Sequence, residues 1–69
     1  DWIPELNLGI TGLLPEDWIP EPELRINLYV RIARLTSGVE LDRLVYELED
    51  RFGAVPQEAR TLMETARIR

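Results

Sequence analysis

The sequence predicts an α+β fold, in which an extended N-terminal arm with a short strand precedes three packed α-helices. Apolar and polar residues alternate from Leu6 to Ile10, which is the period of a half-buried strand. From position 21 onward, apolar residues recur at helical spacing. The helical pattern still continues at Arg69, so we expect the 69 residues to be part of a larger α+β domain.

The predicted arm covers residues 1–20 and contains one duplicated motif. The pentapeptide Asp-Trp-Ile-Pro-Glu occurs at 1–5 and again at 17–21, and nothing else repeats at that spacing. Each copy places a Trp-Ile pair before a proline, which disfavours helix at the preceding residue. We therefore expect residues 1–20 to be extended and residues 21–69 to form the three helices.

The first helix is predicted over residues 21–36. Pro22 suits a first helical turn, and Arg31 and Arg34 lie toward the negative end of the helix dipole as a solvated stripe. Apolar side chains cover roughly two-thirds of the circumference of this helix, a pattern typical of burial on several sides.

The second and third helices have clear start and stop signals. Ser37 and Glu40 form a capping box, Gly53 suits the end of the second helix, and Pro56 suits the first turn of the third. The predicted core consists of Leu28, Ile32, Leu44, Leu48, Phe52, Leu62 and Met63.

Three aromatic side chains are predicted to pack on this core. Trp18 is expected to close over one end of it. Tyr29 and Tyr46 lie near the edges of their apolar helix stripes, so we expect packed rings with hydroxyl groups in water.

The composition excludes most catalytic chemistry. The chain has no Cys, His or Lys, its eight basic residues are all Arg, and Ser37 is its only serine. Thiol nucleophiles, His-based triads, Cys/His zinc sites and a P-loop lysine are therefore absent from this sequence. We predict no catalytic residue, no cofactor and no metal site in this segment.

The charge distribution disfavours nucleic acid and membrane as partners. Residues 1–23 hold six acids and no base, and residues 24–69 hold seven acids and eight arginines, which together give the net charge of −5. DNA binding depends on a basic surface, which these totals do not provide. The longest uncharged run, 6–15, is far too short to span a bilayer, so a cytoplasmic location is expected.

An acidic cluster near the end of the second helix is the main candidate site. Glu47, Glu49 and Asp50 lie where the helix dipole disfavours each anion by about 0.3–1 kcal/mol. Glu47 and Asp50 are i, i+3 neighbours opposite the leucine stripe. They are either a solvated face with Arg43 and Arg51 nearby, or a docking pair for arginines of another surface. Exposed carboxylates lack the apolar pocket that acid–base catalysis needs.

Several segments together resemble a known family. Residues 7–9 (Asn-Leu-Gly), 14–20 (Leu-Pro-Glu-Asp-Trp-Ile-Pro), 24–33 and 66–69 are similar to the C-terminal domain of Mfd, the bacterial transcription-repair coupling factor. The most distinctive segment is 47–53, Glu-Leu-Glu-Asp-Arg-Phe-Gly. The resemblance covers essentially the whole chain in register. It implies that the 69 residues are the N-terminal half of that domain, because the family's domain continues beyond the position that matches Arg69.

Two positions depart from that family's pattern. Val30 stands where Lys or Arg is usual, and Asn27 replaces a common Ser, which leaves any polar contact on that side of the first helix in doubt.

The resemblance implies a regulatory role. Mfd-like proteins are ATP-driven DNA translocases that displace stalled RNA polymerase and recruit UvrA. Their C-terminal domain docks on a UvrB-like module of the same chain and masks the UvrA-binding surface until polymerase is engaged. By resemblance, Glu47 and Asp50 face arginines of that module, and ATP binds elsewhere in the parent protein. The alternative is a constitutive scaffold module without a switching role.

Overall fold

The computed structural model describes residues 13–68, which form three α-helices. These are α1 (Pro22–Ala33), α2 (Gly38–Phe52) and α3 (Gln57–Ile68). No strand occurs within this part of the chain, so the α+β prediction is wrong and the observed fold is all-α. The predicted strand at residues 6–10 lies outside the described residues. A strand needs a hydrogen-bonded partner strand, and residues 13–68 provide only helices and turns.

The last part of the predicted extended arm is a turn. The backbone N–H groups of Trp18 and Ile19 both donate to the carbonyl oxygen of Pro15, at 3.3 and 3.2 Å. The turn directs Leu14 and Ile19 inward, where they are almost completely buried. This segment therefore covers the helical core as a turn, where an extended arm was predicted.

The first helix is shorter than predicted. It begins at Pro22, as expected for a proline at the first helical position, but it ends at Ala33 rather than at residue 36. Thr36 does not continue α1, because its backbone N–H and its hydroxyl both donate to the carboxylate of Glu40 in the next helix, at 2.9 Å. These bonds hold Thr36 at the start of α2.

The predicted caps of α2 are confirmed. The Ser37 hydroxyl accepts a hydrogen bond from the backbone N–H of Glu40 at 3.2 Å, and Gly53 ends the helix with a positive φ of 81°. The bonds from Thr36 lower the pKa of Glu40. Pro56 directly precedes α3, and its carbonyl oxygen accepts the first two N–H bonds of that helix.

The third helix packs against both of the others, whereas the backbones of α1 and α2 remain apart. Six of the seven predicted core residues are buried, and Phe52 is only half-buried at the edge of the core. The remaining buried apolar residues are Leu14, Ile19, Tyr29, Leu41, Val55, Ala59 and Ala66. None of the helices in the described part of the chain is long and apolar enough to cross a membrane.

The two tyrosines differ from the prediction and from each other. Tyr29 is buried, and its hydroxyl accepts a hydrogen bond from the backbone N–H of Leu14 at 2.8 Å, so the hydroxyl is not in water. Tyr46 is 79% exposed and is not a packing residue. Helical spacing alone could not show that Tyr29 is buried, because Tyr29 is covered by a segment distant in sequence.

Candidate functional site

The acidic cluster is carried by α2, and three leucines fix the orientation of that helix. Leu41, Leu44 and Leu48 are buried along one side, so the opposite side faces outward. The helix contains five acids and two arginines, a net charge of −3. Each acid of the cluster nevertheless has a different environment.

Glu47 is held by two arginines of the same chain. Arg31 of α1 donates from Nη1 to Oε2 at 2.7 Å and from Nη2 to Oε1 at 2.8 Å, a bidentate pair. Arg51 adds a third bond to Oε2 at 3.1 Å. A carboxylate has about four acceptor positions, and these bonds occupy three of them. Arg43, the neighbour considered from the sequence, is not among these partners.

The electrostatics of Glu47 follow from these bonds. The hydrogen bonds from Arg31 lower the pKa of Glu47 to about 2, against an opposing effect of burial and with a further contribution from Arg51. Glu47 in turn raises the pKa of Arg31. Because the backbones of α1 and α2 do not touch, this pair is a side-chain link between two helices.

Glu49 makes a similar link on the other side of α2. Arg60 of α3 donates from Nη2 to its Oε2 at 2.9 Å. Both partners are about 40% exposed, at 39% and 41%, so solvent screens the pair. The link fastens α2 to α3, as the Arg31 pair fastens it to α1.

The side chain of Asp50 is exposed and makes no hydrogen bond or ion pair with the side chains of residues 13–66. At 100° per residue, its side chain is rotated by about 60° from that of Glu47 around the helix axis. The structure thus separates the two predicted docking acids. Glu47 is turned toward α1 and paired, and Asp50 is turned outward and free.

The remaining residues of the distinctive 47–53 segment have structural contacts. The indole N–H of Trp18 donates to the carbonyl oxygen of Phe52 at 3.3 Å, and the two rings meet edge to face at 6.0 Å. The guanidinium of Arg51 lies 4.8 Å from the centre of the Phe52 ring. Trp18 therefore packs at one end of the core as predicted, and it ties the N-terminal turn to the end of α2.

The centre of the outward face was not identified from the sequence. Val39 and Tyr46 are 60% and 79% exposed, and with Asp50 they lie at i, i+7 and i+11 on one side of α2. This spacing could have been found, because all three positions lie opposite Leu41, Leu44 and Leu48.

Comparison with known proteins places the chain in a family. The model of the TRCF domain matches residues 8–69. The chain belongs to the TRCF domain family. The transcription-repair-coupling factor of Escherichia coli (strain K12) is 45% identical to this TRCF domain over 65 residues. That of Mycobacterium bovis is 41% identical over 64 residues, and that of Rickettsia prowazekii is 34% identical over 68.

These relatives are much longer proteins. The aligned residues cover 94% of this chain and 6% of the Escherichia coli protein, 93% and 5% for the Mycobacterium bovis protein, and 99% and 6% for the Rickettsia prowazekii protein. No solved structure gives a significant match. The comparisons therefore show that the chain is a TRCF domain that corresponds to a small part of transcription-repair-coupling factors.

Proposed function

We propose that this TRCF domain is a non-catalytic docking module in the C-terminal domain of a transcription-repair coupling factor of the Mfd type. In this proposal, α2 docks on arginines of a UvrB-like module of the same protein and masks the UvrA-binding surface. Engagement with stalled RNA polymerase in the cytoplasm releases the contact. The ATP-dependent activity belongs to other parts of the parent protein, and the domain itself holds no cofactor or metal and contacts no nucleic acid.

The observation that supports docking most directly is the exposed, unpaired carboxylate of Asp50. An anion in the last turn of a helix is disfavoured by the dipole, and no side chain of residues 13–66 pairs with this one. An arginine from another surface would provide that compensation through a charge-assisted bond.

Glu47 offers a weaker contact than Asp50 in this proposal. Its carboxylate retains about one free acceptor position, so an incoming arginine would share it with Arg31 and Arg51. We therefore assign the stronger direct contact to Asp50 and a shared contact to Glu47.

Masking of this kind is a shift between closed and open populations. Coupling on the order of 1–3 kcal/mol between the docking contact and the masked site would change UvrA affinity about 5- to 150-fold.

The test reverses charges in the full-length parent protein and measures UvrA affinity. Asp50→Lys is the sharper variant, because the Asp50 side chain has no partner among the side chains of residues 13–66 whose loss would disturb the fold. The double variant Glu47→Lys with Asp50→Lys is expected to raise UvrA affinity further. The matched control is Glu58→Lys, which makes the same charge change at an exposed acid of α3. Unchanged UvrA affinity in a folded Asp50→Lys protein would refute docking through this residue.

A scaffold role is the second candidate, and the internal contacts of the 47–53 segment favour it. Glu47, Glu49, Arg51 and Phe52 all have partners within the chain. If they only complete the fold, deleting the domain will destabilise the parent protein without raising UvrA affinity.

A further inference from the structure

Tyr46 is the one aromatic side chain of residues 13–68 that lacks a packing role. Trp18 packs on Phe52 and Tyr29 is buried, whereas Tyr46 is 79% exposed at the centre of the outward face of α2. An aromatic ring left in water contributes no burial to the fold. Tyrosine is, however, enriched at the centres of protein interfaces.

The position of Tyr46 relative to Asp50 indicates what would cover it. The two residues are i, i+4 neighbours, so their Cβ atoms lie about 5–6 Å apart on one side of the helix. A guanidinium group is planar and can stack on a ring while its N–H groups bond a carboxylate. Among the side chains of residues 13–66 this kind of stacking occurs for Arg51 on Phe52, and no cation of that set lies over Tyr46.

Charge complementarity indicates which side chain of a partner would cover Tyr46. The helix has a net charge of −3, and Asp42 lies one turn before Tyr46 on the same exposed side. Val39 extends the exposed apolar surface by two turns. An arginine side chain matches this surface better than a lysine, because a compact ammonium cannot stack on the ring and bond in a fork.

We infer that Tyr46 and Asp50 together form the receptor for one arginine of a partner protein surface, with the guanidinium stacked on the Tyr46 ring and bonded to the Asp50 carboxylate. The inference rests on the proposed docking function. It assigns to Tyr46 most of the specificity of the docking surface for arginine. It also explains why Asp50, rather than Glu47, is left free on this helix.

The first experiment compares Tyr46→Ala and Tyr46→Phe in the full-length parent protein, with UvrA affinity as the readout. Loss of the ring is expected to raise UvrA affinity roughly 3- to 30-fold, the effect of removing one cation–π contact. Tyr46→Phe keeps the ring face and is expected to leave the affinity unchanged. An equal rise in both variants would overturn the inference, because it would assign the effect to the hydroxyl.

The second experiment is a double-mutant cycle between Tyr46→Ala and Asp50→Asn. If one arginine contacts both side chains, the double variant will raise UvrA affinity by less than the product of the two single effects. If the affinity change of the double variant equals the product of the two single changes, the contacts are independent and the shared receptor is overturned. The same cycle in the unfolding free energy of the 69-residue chain serves as the control, and no coupling is expected there.

The outcomes separate this inference from the proposed function. A rise with Asp50→Lys and none with Tyr46→Ala would overturn the arginine receptor and leave docking through α2 intact. No rise with either variant, while the proteins remain folded, would overturn both.

Discussion

The charged residues of α2 that face α1 and α3 have hydrogen-bond partners, whereas the charged residue at the centre of its outward face has none among the described side chains. On the sides that face the neighbouring helices, Glu47 and Glu49 are bound by arginines of α1 and α3. On the outward side, Asp50 has no partner in the described chain and Tyr46 has no packing neighbour that buries it. The three acids of the cluster therefore do not act as one unit. The orientation of each side chain decides whether it links two helices or stays available to a partner.

The largest expected contrast is between a residue of the buried side and one of the outward side. Leu48→Ala removes a completely buried side chain, so we expect a loss of about 2–5 kcal/mol in unfolding free energy. Tyr46→Ala is expected to change it by less than about 0.5 kcal/mol, because its ring contacts mainly water. Urea unfolding of the 69-residue chain measures both. A large loss with Tyr46→Ala would mean that the outward side also supports the fold.

A smaller contrast is expected between the two acids. Glu47→Gln weakens a bidentate pair whose side chains are 45% and 38% exposed, so after allowance for solvent screening we expect a loss of about 0.5–1 kcal/mol. Asp50→Asn is the matched control and is expected to leave stability unchanged or slightly raised, since it removes an anion from the helix end. Equal losses in both variants would contradict the division between a paired and a free acid.

The smallest expected effect is the pH dependence of the Glu47 pair. The pKa of Glu47 is lowered from 4.5 to about 2 by its arginine partners, so the stabilisation is fully present above about pH 4.5. It is lost as the pH falls from about 4.5 to about 2, because protons then bind the unfolded chain first. The melting-temperature difference between wild type and Glu47→Gln should shrink over that range. A difference that stays constant down to pH 2.5 would show that the carboxylate charge is not responsible.

Much of the helical architecture could be predicted because its signals are local. The Ser37 cap and the Gly53 stop involve residues within one turn of each other, and both are confirmed. The end of α1 was predicted too late. The N–H of Thr36 donates to the carboxylate of Glu40 in the following helix and not to a carbonyl oxygen of α1. The outward exposure of Tyr46 was accessible from the spacing of Leu41, Leu44 and Leu48, but its apolar ring favoured a packing interpretation.

The candidate site was predicted only in part. The location of the acids on α2 followed from the sequence, as did the position of Asp50 opposite the leucines. Their separation into paired and free groups did not follow, because the decisive partners lie 16 residues away for Glu47 and 11 residues away for Glu49. No periodicity argument identifies which of several arginines reaches a given carboxylate.

The sequence by itself determined where the helices of residues 13–68 start and which sides of α2 and α3 are apolar. The tertiary structure decided that the described fold is all-α, that Tyr29 is buried and Tyr46 exposed, and that Asp50 is the acid left unpaired. Helix caps and apolar stripes depend on neighbours within about four residues, whereas the pairing of charges depends on how α1 and α3 pack beside α2.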